Sequence, residues 1–146
     1  RSSIMNRTKR VFERHSKQHH VFFTSARMQF DSPRDYKAVL FPPILVMFFL
    51  LAFGTPTVLL LQWLATDNIA WLFAITGASY FLNYELLHFA YHTPADSWIS
   101  RLPGVAVLRR HHTLHHEQSL MSNYNFNITY PIADWIMGTL HKDDRK

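Results

Sequence analysis

The 146-residue chain has no cysteine. That excludes disulfides, thiolate zinc sites and cysteine-held iron–sulfur clusters. Glycine is scarce, at four residues. Charge is missing from one long block. Between Ala38 and His92 there is no Lys or Arg, and the only acids there are Asp67 and Glu85. A soluble domain scatters charge along its helices, whereas this segregation is the pattern of a membrane protein. The net charge is +5, with nine of the fifteen Lys/Arg in residues 1–37 and six in residues 93–146. Because these cations flank apolar stretches, anionic lipid headgroups account for them better than nucleic acid does.

What the chain does have is histidine. Eight of its ten histidines fall in three clusters: His15-Ser-Lys-Gln-His19-His20, His88-Phe-Ala-Tyr-His92 and His112-Thr-Leu-His115-His116. Neutral imidazole is the commonest metal ligand among side chains. His15/His19 and His88/His92 are i, i+4 pairs, and His112, His115 and His116 read i, i+3, i+4. On a helix such spacings put imidazoles on one face. His20 is rotated by about 100° from His19 and is free to serve a second ion. Three such elements facing one another could hold two ions. A His-rich surface that binds metal adventitiously is the plain alternative, and three clusters beside membrane-length segments weigh against it. Imidazole suits Fe, Zn, Cu and Ni alike, so ligand type does not choose the metal. Glu85, Glu117, Asp96 and Asp134 are the nearest carboxylates in sequence, placed to orient imidazole N–H groups from outside. His111 also forms an i, i+4 pair with His115, and His141 reads as a solvated tail residue.

The organisation follows from the apolar blocks. Residues 1–30 read as a polar helix, with Phe12, His15, His19, Phe22 and Phe23 at spacings of three and four. Asp31–Tyr36 is a turn. Residues 39–65 are long enough to cross a bilayer. Gly54 and Pro56 predict a kink, which permits one bent crossing or a shallow hairpin. Asp67 or Asn68 is placed to cap a second helix over 69–92, whose last turns carry Tyr84, His88 and His92. A short helix over Val105–Gln118 bears the third cluster. An amphipathic segment, Asn123–Gly138, lies on the membrane surface or over the site. The aromatic residues Phe48, Phe49, Trp63, Trp71 and Phe73 read as lipid-facing or packing residues. The predicted fold is all-α: a transmembrane hairpin with both ends, and all three His clusters, on the cytoplasmic side, the His-bearing helices forming a di-metal cap.

The boxes HxxxHH, HxxxH and HxxHH around a hydrophobic hairpin resemble the fatty acid hydroxylase/sterol desaturase superfamily. The runs YELLHFAYH (84–92), LPGVAVLRRHHTLHH (102–116) and NFNITYPIADWIMGT (125–139) are similar to its C-terminal signature, and PRDYKAVLFPP (33–43) to its segment after the second box. The resemblance implies a membrane-bound, O2-dependent non-haem di-iron oxygenase that hydroxylates or desaturates a lipid such as a fatty acyl chain, sterol or carotenoid. It implies two iron ions (Fe2+/Fe3+), with O2 as co-substrate and an electron donor such as cytochrome b5 or a ferredoxin. It further implies His15, His19, His20, His88, His92, His112, His115 and His116 as the metal ligands, with no catalytic residue beyond them. Tyr84, Glu85, Glu117 and Asp134 are possible supports, and His111 falls outside the pattern. The location expected is the inner membrane of a bacterium or the endoplasmic reticulum. The close spacing of the last two boxes favours this group over acyl-CoA desaturases.

One departure is a first His box upstream of the second, which residues 1–14 do not supply. With the start at Arg1, the expectation is a single hydroxylase-like domain over 1–146 that is truncated at its N-terminus. Two other classes compete. A non-catalytic membrane metal carrier would carry polar ligands along a path through its spans, and here the ligands sit at helix ends. A zinc hydrolase would show HExxH, which is absent.

Overall fold

The computed structural model describes residues 9 and 13–142. Among the described residues it is all-helical, with no strand beyond one isolated bridge in the turn Thr24–Arg27. The chain forms two compact units, Arg1–Val39 with Leu87–Lys146, and Leu40–Leu86.

The first unit begins with a π-helical turn, Glu13–His19, that runs into the short helix α1, His20–Phe22. The polar helix predicted over residues 1–30 therefore stops at Phe22; its first part, with Phe12, lies outside the described residues. After Phe22 the chain turns back on itself, with Arg27 N–H on Thr24 O at 2.9 Å. The predicted turn at 31–36 is a 3-10 turn, Pro33–Asp35, closed by a capping box between Ser32 and Asp35. It leads into α2, Tyr36–Val39.

The second unit is mostly lipid-like surface. Helix α3, Pro43–Phe49, passes through a π-helical segment, Leu50–Gly54, into α4, Thr55–Leu64. Pro56 has no N–H, so the α-helical ladder loses a donor here. The chain answers with wider winding, and the Thr55 hydroxyl donates to Leu50 O at 3.1 Å. The predicted break thus takes the form of a π segment within a helical run. Pro33–Leu64 is long and apolar enough to cross a membrane, by length and composition, and its most apolar stretch is unburied. Helix α5, Asp67–Tyr91, follows. The hydroxyl of Thr66 accepts from Ile69 N–H at 3.3 Å, so Thr66, and not Asp67 or Asn68, caps it. Tyr80, Asn83, Tyr84 and Glu85 dilute its apolar character, and among the described residues only the earlier segment meets the length and hydropathy requirement for a span. Trp63, Trp71, Phe73 and Phe49 are all exposed. That is the state expected of side chains meant for lipid.

The first unit resumes in the last turns of α5. After Pro94, a 3-10 turn, Ile99–Arg101, and Gly104 at φ +81° lead into α6, Val105–His115. This helix ends at His115, short of the predicted Gln118. The segment 123–138 reads as an amphipathic stretch on the membrane surface or over the site, with no secondary structure assigned to it. Only α7, Ile132–Met137, is helix, because Asn125 takes the left-handed region at φ +52° and interrupts the winding. A small apolar core of Ala90, Tyr91 and Val105, backed by Leu87, Ile99 and Leu108, packs α5 on α6 within this unit.

Candidate metal centre

All three His clusters meet inside the first unit. Ligand atoms of His19, His88, His92 and His112 lie within 4.8 Å of one another, and so do those of His15, His20 and His115. His116 stands between the two groups: its Nε2 is 3.2 Å from His19 Nε2 and 3.1 Å from His112 Nε2, and its ring stacks on His20 at 4.3 Å. Seven of the eight are buried, and His15 is half-buried. The sorting differs from the face-by-face expectation. His15 belongs with His20, at 3.2 Å between Nε2 atoms, and not with His19. The reason is the π turn, whose i→i+5 bonding aligns residues five apart. Likewise His115 goes to the second group although it lies beside His112 and His116 in sequence. His88 and His92 share one group, as their spacing predicts.

The backbone fixes which nitrogen faces inward. Nδ1–H of His19 donates to Ala38 O, that of His92 to Met28 O, that of His115 to Asn125 O and that of His116 to Phe23 O, each at 2.7 Å. A carbonyl accepts only, so these four rings carry their proton on Nδ1 and turn an Nε2 lone pair toward the cluster. The acceptors are available because of where they sit. Phe23 and Met28 flank the tight turn outside any helix, Ala38 lies in the last turn of a four-residue helix, and Asn125 is in the left-handed residue's loop. An uninterrupted helix through residue 30 would have engaged Phe23 O with its own N–H ladder.

The consequence is a set of lone pairs that face one another. His19 Nε2 and His116 Nε2 are 3.2 Å apart and neither holds a proton. His20 Nδ1, His112 Nδ1 and His115 Nε2 are buried without a hydrogen-bond partner. Protonation does not relieve this, because burial pushes the imidazoles down, His19 to about 2, His20 to about 3, and His92 and His115 to about 4. His112 and His116 are also lowered, first by burial and then by their neighbouring imidazoles. At His92 the Arg109 charge adds to the lowering. Converging unprotonated nitrogens in a buried pocket are costly unless a cation fills them. The donor set therefore fits divalent metal ions held by imidazole, in two groups.

Around the rings stands a supporting layer. Asp134, 1% exposed, accepts from Phe126 N–H at 2.9 Å, Asn127 N–H at 2.8 Å and the Thr139 hydroxyl at 2.7 Å. It thereby clamps the 125–127 loop whose Asn125 carbonyl orients His115. His111 belongs to this layer: its Nε2–H donates to Asn127 O at 2.8 Å, with Asp134 3.8 Å away. Burial raises the Asp134 pKa, but the hydrogen bonds outweigh it and the carboxyl ends below its ordinary value. Glu117 accepts from the Ser25 hydroxyl at 2.7 Å. Glu85 accepts from Phe41 N–H at 3.0 Å, and Tyr84 lines an apolar pocket of about 440 Å3 with Phe41, Gly77 and Phe81 in the second unit. Asp96 is exposed. His141 is not a free tail residue: its N–H and C=O bond the Asn125 side chain, and its ring lies 5.3 Å from Tyr124. Side-chain pattern carries no signal for the four carbonyl acceptors, and Phe23, read only as part of a helix face, is fully buried and 4.2 Å from the His92 ring.

Two histidine boxes converging on buried metal-ready pockets, with a third closing them, match a known family over most of the chain. The fatty acid hydroxylase family matches residues 5–139, and the chain belongs to that family. No curated protein and no solved structure shows significant similarity to it. Membership makes this an oxygenase-type enzyme of lipid metabolism, membrane-associated, with buried histidine groups suited to metal.

Proposed function

We propose that the protein is an O2-dependent non-haem di-iron oxygenase that hydroxylates or desaturates the hydrocarbon part of a membrane lipid. His19, His88, His92 and His112 would hold one ion and His15, His20 and His115 the other, with His116 between them. The observation that carries the reading is the His19–His116 contact, two lone pairs 3.2 Å apart with both Nδ1 protons committed to carbonyls. Iron, when bound, supplies the activation of O2 against an unactivated C–H bond. The chain's own residues do the rest. Ala38, Met28, Phe23 and Asn125 carbonyls hold the rings in one tautomer, Asp134 holds the loop that carries Asn125, and Phe23 and Tyr91 close the pocket to water. The apolar pocket at Gly77 is a place for a lipid chain in the second unit.

In this reading the segments 39–65 and 67–91 form a hairpin with Asp67 at its far end, and the His clusters lie on the cytoplasmic side with the flanking cations. Electrons come from a reduced carrier of the cytochrome b5 or ferredoxin type. The test is iron content per chain together with O2 consumption coupled to lipid hydroxylation, in the full-length protein in native membranes. Two iron per chain and stoichiometric product are expected. Zinc alone, with no O2 uptake, would refute the oxygenase and leave only the metal geometry.

A further inference from the structure

A metal-bound imidazole needs its second nitrogen held from behind. In four of the eight rings a backbone carbonyl does this. His112 has no such partner: its Nδ1 is buried without a hydrogen bond. Its Nε2 lies 3.1 Å from His92 Nε2 and 3.1 Å from His116 Nε2. Both of those are lone pairs, because their rings keep the proton on Nδ1. Two lone pairs facing one nitrogen at that distance call for a proton on it. Without an ion, therefore, His112 carries its proton on Nε2 and a lone pair on Nδ1. Metal at Nε2 demands the opposite tautomer, with the proton on Nδ1. The group behind His112 must then serve a lone pair in one state and an N–H in the other. A carbonyl only accepts; a hydroxyl does both.

Tyr91 is placed to be that hydroxyl. It is fully buried, and its ring packs on His112 with centroids 5.1 Å apart and planes at 38°. Its Oη also has no hydrogen-bond partner, and among the described residues it is the one buried hydroxyl of which that is true. Buried tyrosine hydroxyls are ordinarily paired. Were packing the only task, phenylalanine would serve, as Phe23 does 4.2 Å from the His92 ring. The hydroxyls next to the ligands in sequence are spent, Thr93 on Ala90 O and Thr113 on Arg109 O. Tyr91 is itself anchored, in the apolar core with Ala90 and Val105 that packs α5 on α6. We propose that Tyr91 is the positioning residue of His112, its Oη accepting from His112 Nδ1–H when metal is bound at Nε2. The imidazole gives up a proton at Nε2 and takes one at Nδ1, so neither side chain changes its charge. Four rings are thus held by carbonyls in the ligating tautomer, and His112 is one that changes on loading. This rests on the reading of His112 as a metal ligand.

The test uses the full-length protein in detergent, isotope-labelled at histidine nitrogen, with zinc as a diamagnetic probe. Nitrogen resonances separate N–H from lone-pair nitrogens, and His112→Ala identifies the His112 signals. The expected result is Nε2–H without zinc and a hydrogen-bonded Nδ1–H with it. That Nδ1–H should show a nuclear Overhauser contact to the Tyr91 ring protons beside the hydroxyl. Tyr91→Phe keeps the ring and removes only Oη. It should leave the zinc-free Tm unchanged, lower zinc affinity about 10–100-fold, and move the loaded Nδ1–H upfield. A merely structural role would lower the zinc-free Tm and leave the resonance in place. If Tyr91→Phe does not fold, the wild-type Overhauser contact decides. Zinc-loaded wild type with His112 protonated at Nε2, or with its Nδ1–H out of contact with Tyr91, overturns the proposal. So does a Tyr91→Phe protein of wild-type zinc affinity. In those cases His112→Ala still weakens zinc binding and the metal reading stands; zinc affinity untouched by His112→Ala removes both.

Discussion

Asp134→Asn isolates the layer behind the metal groups without touching a ring. The carboxylate accepts three hydrogen bonds, two from backbone N–H groups of the 125–127 loop and one from Thr139. Asparagine keeps one acceptor oxygen. Whichever way the amide turns, its NH2 meets at least one of those N–H donors. One buried backbone N–H then loses its acceptor, at about 1–3 kcal/mol, and the remaining bonds lose their charge assistance, at about 1 kcal/mol. The sum is roughly 2–4 kcal/mol, or a fall in Tm on the order of 5–15 °C for a chain of this size. Loosening the loop also frees the Asn125 carbonyl that orients His115, so iron affinity should fall about 10–100-fold. The assay is thermal unfolding with iron analysis in the same detergent preparation. The pH profile gives an independent signature. The Asp134 pKa is depressed in the folded state, so its contribution is present above the unfolded carboxyl pKa, near 4, and is lost as pH falls through the lower folded value. The variant should lack that acid limb. Wild-type Tm and wild-type iron content in Asp134→Asn would refute the clamp.

Four other outcomes follow from the same geometry. His88→Ala or His115→Ala should lower iron content and turnover by about 10–100-fold or more, whereas His141→Ala, whose bonds to Asn125 are main-chain, should change neither. The reverse pattern would sink the ligand assignment. Metal-stripped protein should lose stability as pH falls from about 6.5 toward 4, because His92 and His115 stay neutral to about 4 when folded and take protons near 6.5 when unfolded. A flat Tm across that window contradicts the buried neutral cluster. Asp67→Cys and Lys142→Cys in this cysteine-free chain should label from opposite sides of sealed vesicles, and same-side labelling would exclude the double crossing. Gly77→Phe should fill the 440 Å3 apolar pocket, where an added Cβ meets nothing within 4 Å, and cut turnover of long acyl chains while leaving iron content intact. Unchanged chain-length preference would remove that pocket from substrate binding.

Part of this was legible in residues 84–116: the i, i+4 spacing of His88 and His92 puts them in one group and the Val105 helix carries the third box, although that box divides, with His112 in one group and His115 in the other. The apolar block gave its span and its break. What could not be read was set by backbone groups outside regular helices. Side-chain pattern says nothing about a free carbonyl, so the Phe23, Met28, Ala38 and Asn125 acceptors, and with them the tautomers, were invisible. The early end of the first helix had the same cause: the Phe and His spacing continued in helical rhythm past Phe22 while the chain had already turned. Asn125 in the left-handed region broke a segment whose amphipathic pattern was sound. His141 read as a solvated tail residue because the bonds that hold it run through its main-chain N–H and C=O to the Asn125 side chain, which a side-chain pattern does not report.

The π turn at Glu13–His19 bears on how such boxes compare with one another. In HxxxHH the first and last histidines, His15 and His20, touch at 3.2 Å across five residues; in HxxHH, His112 and His116 touch at 3.1 Å across four. One box is wound wide and the other normally, and the closing distance is the same. The extra residue is absorbed by winding, so the two spellings encode one clasp. A single-residue insertion or deletion within a box is then compatible with an intact ligand pair, provided the helix can change pitch locally. Length variation there marks a change of winding, and need not mark a change of metal.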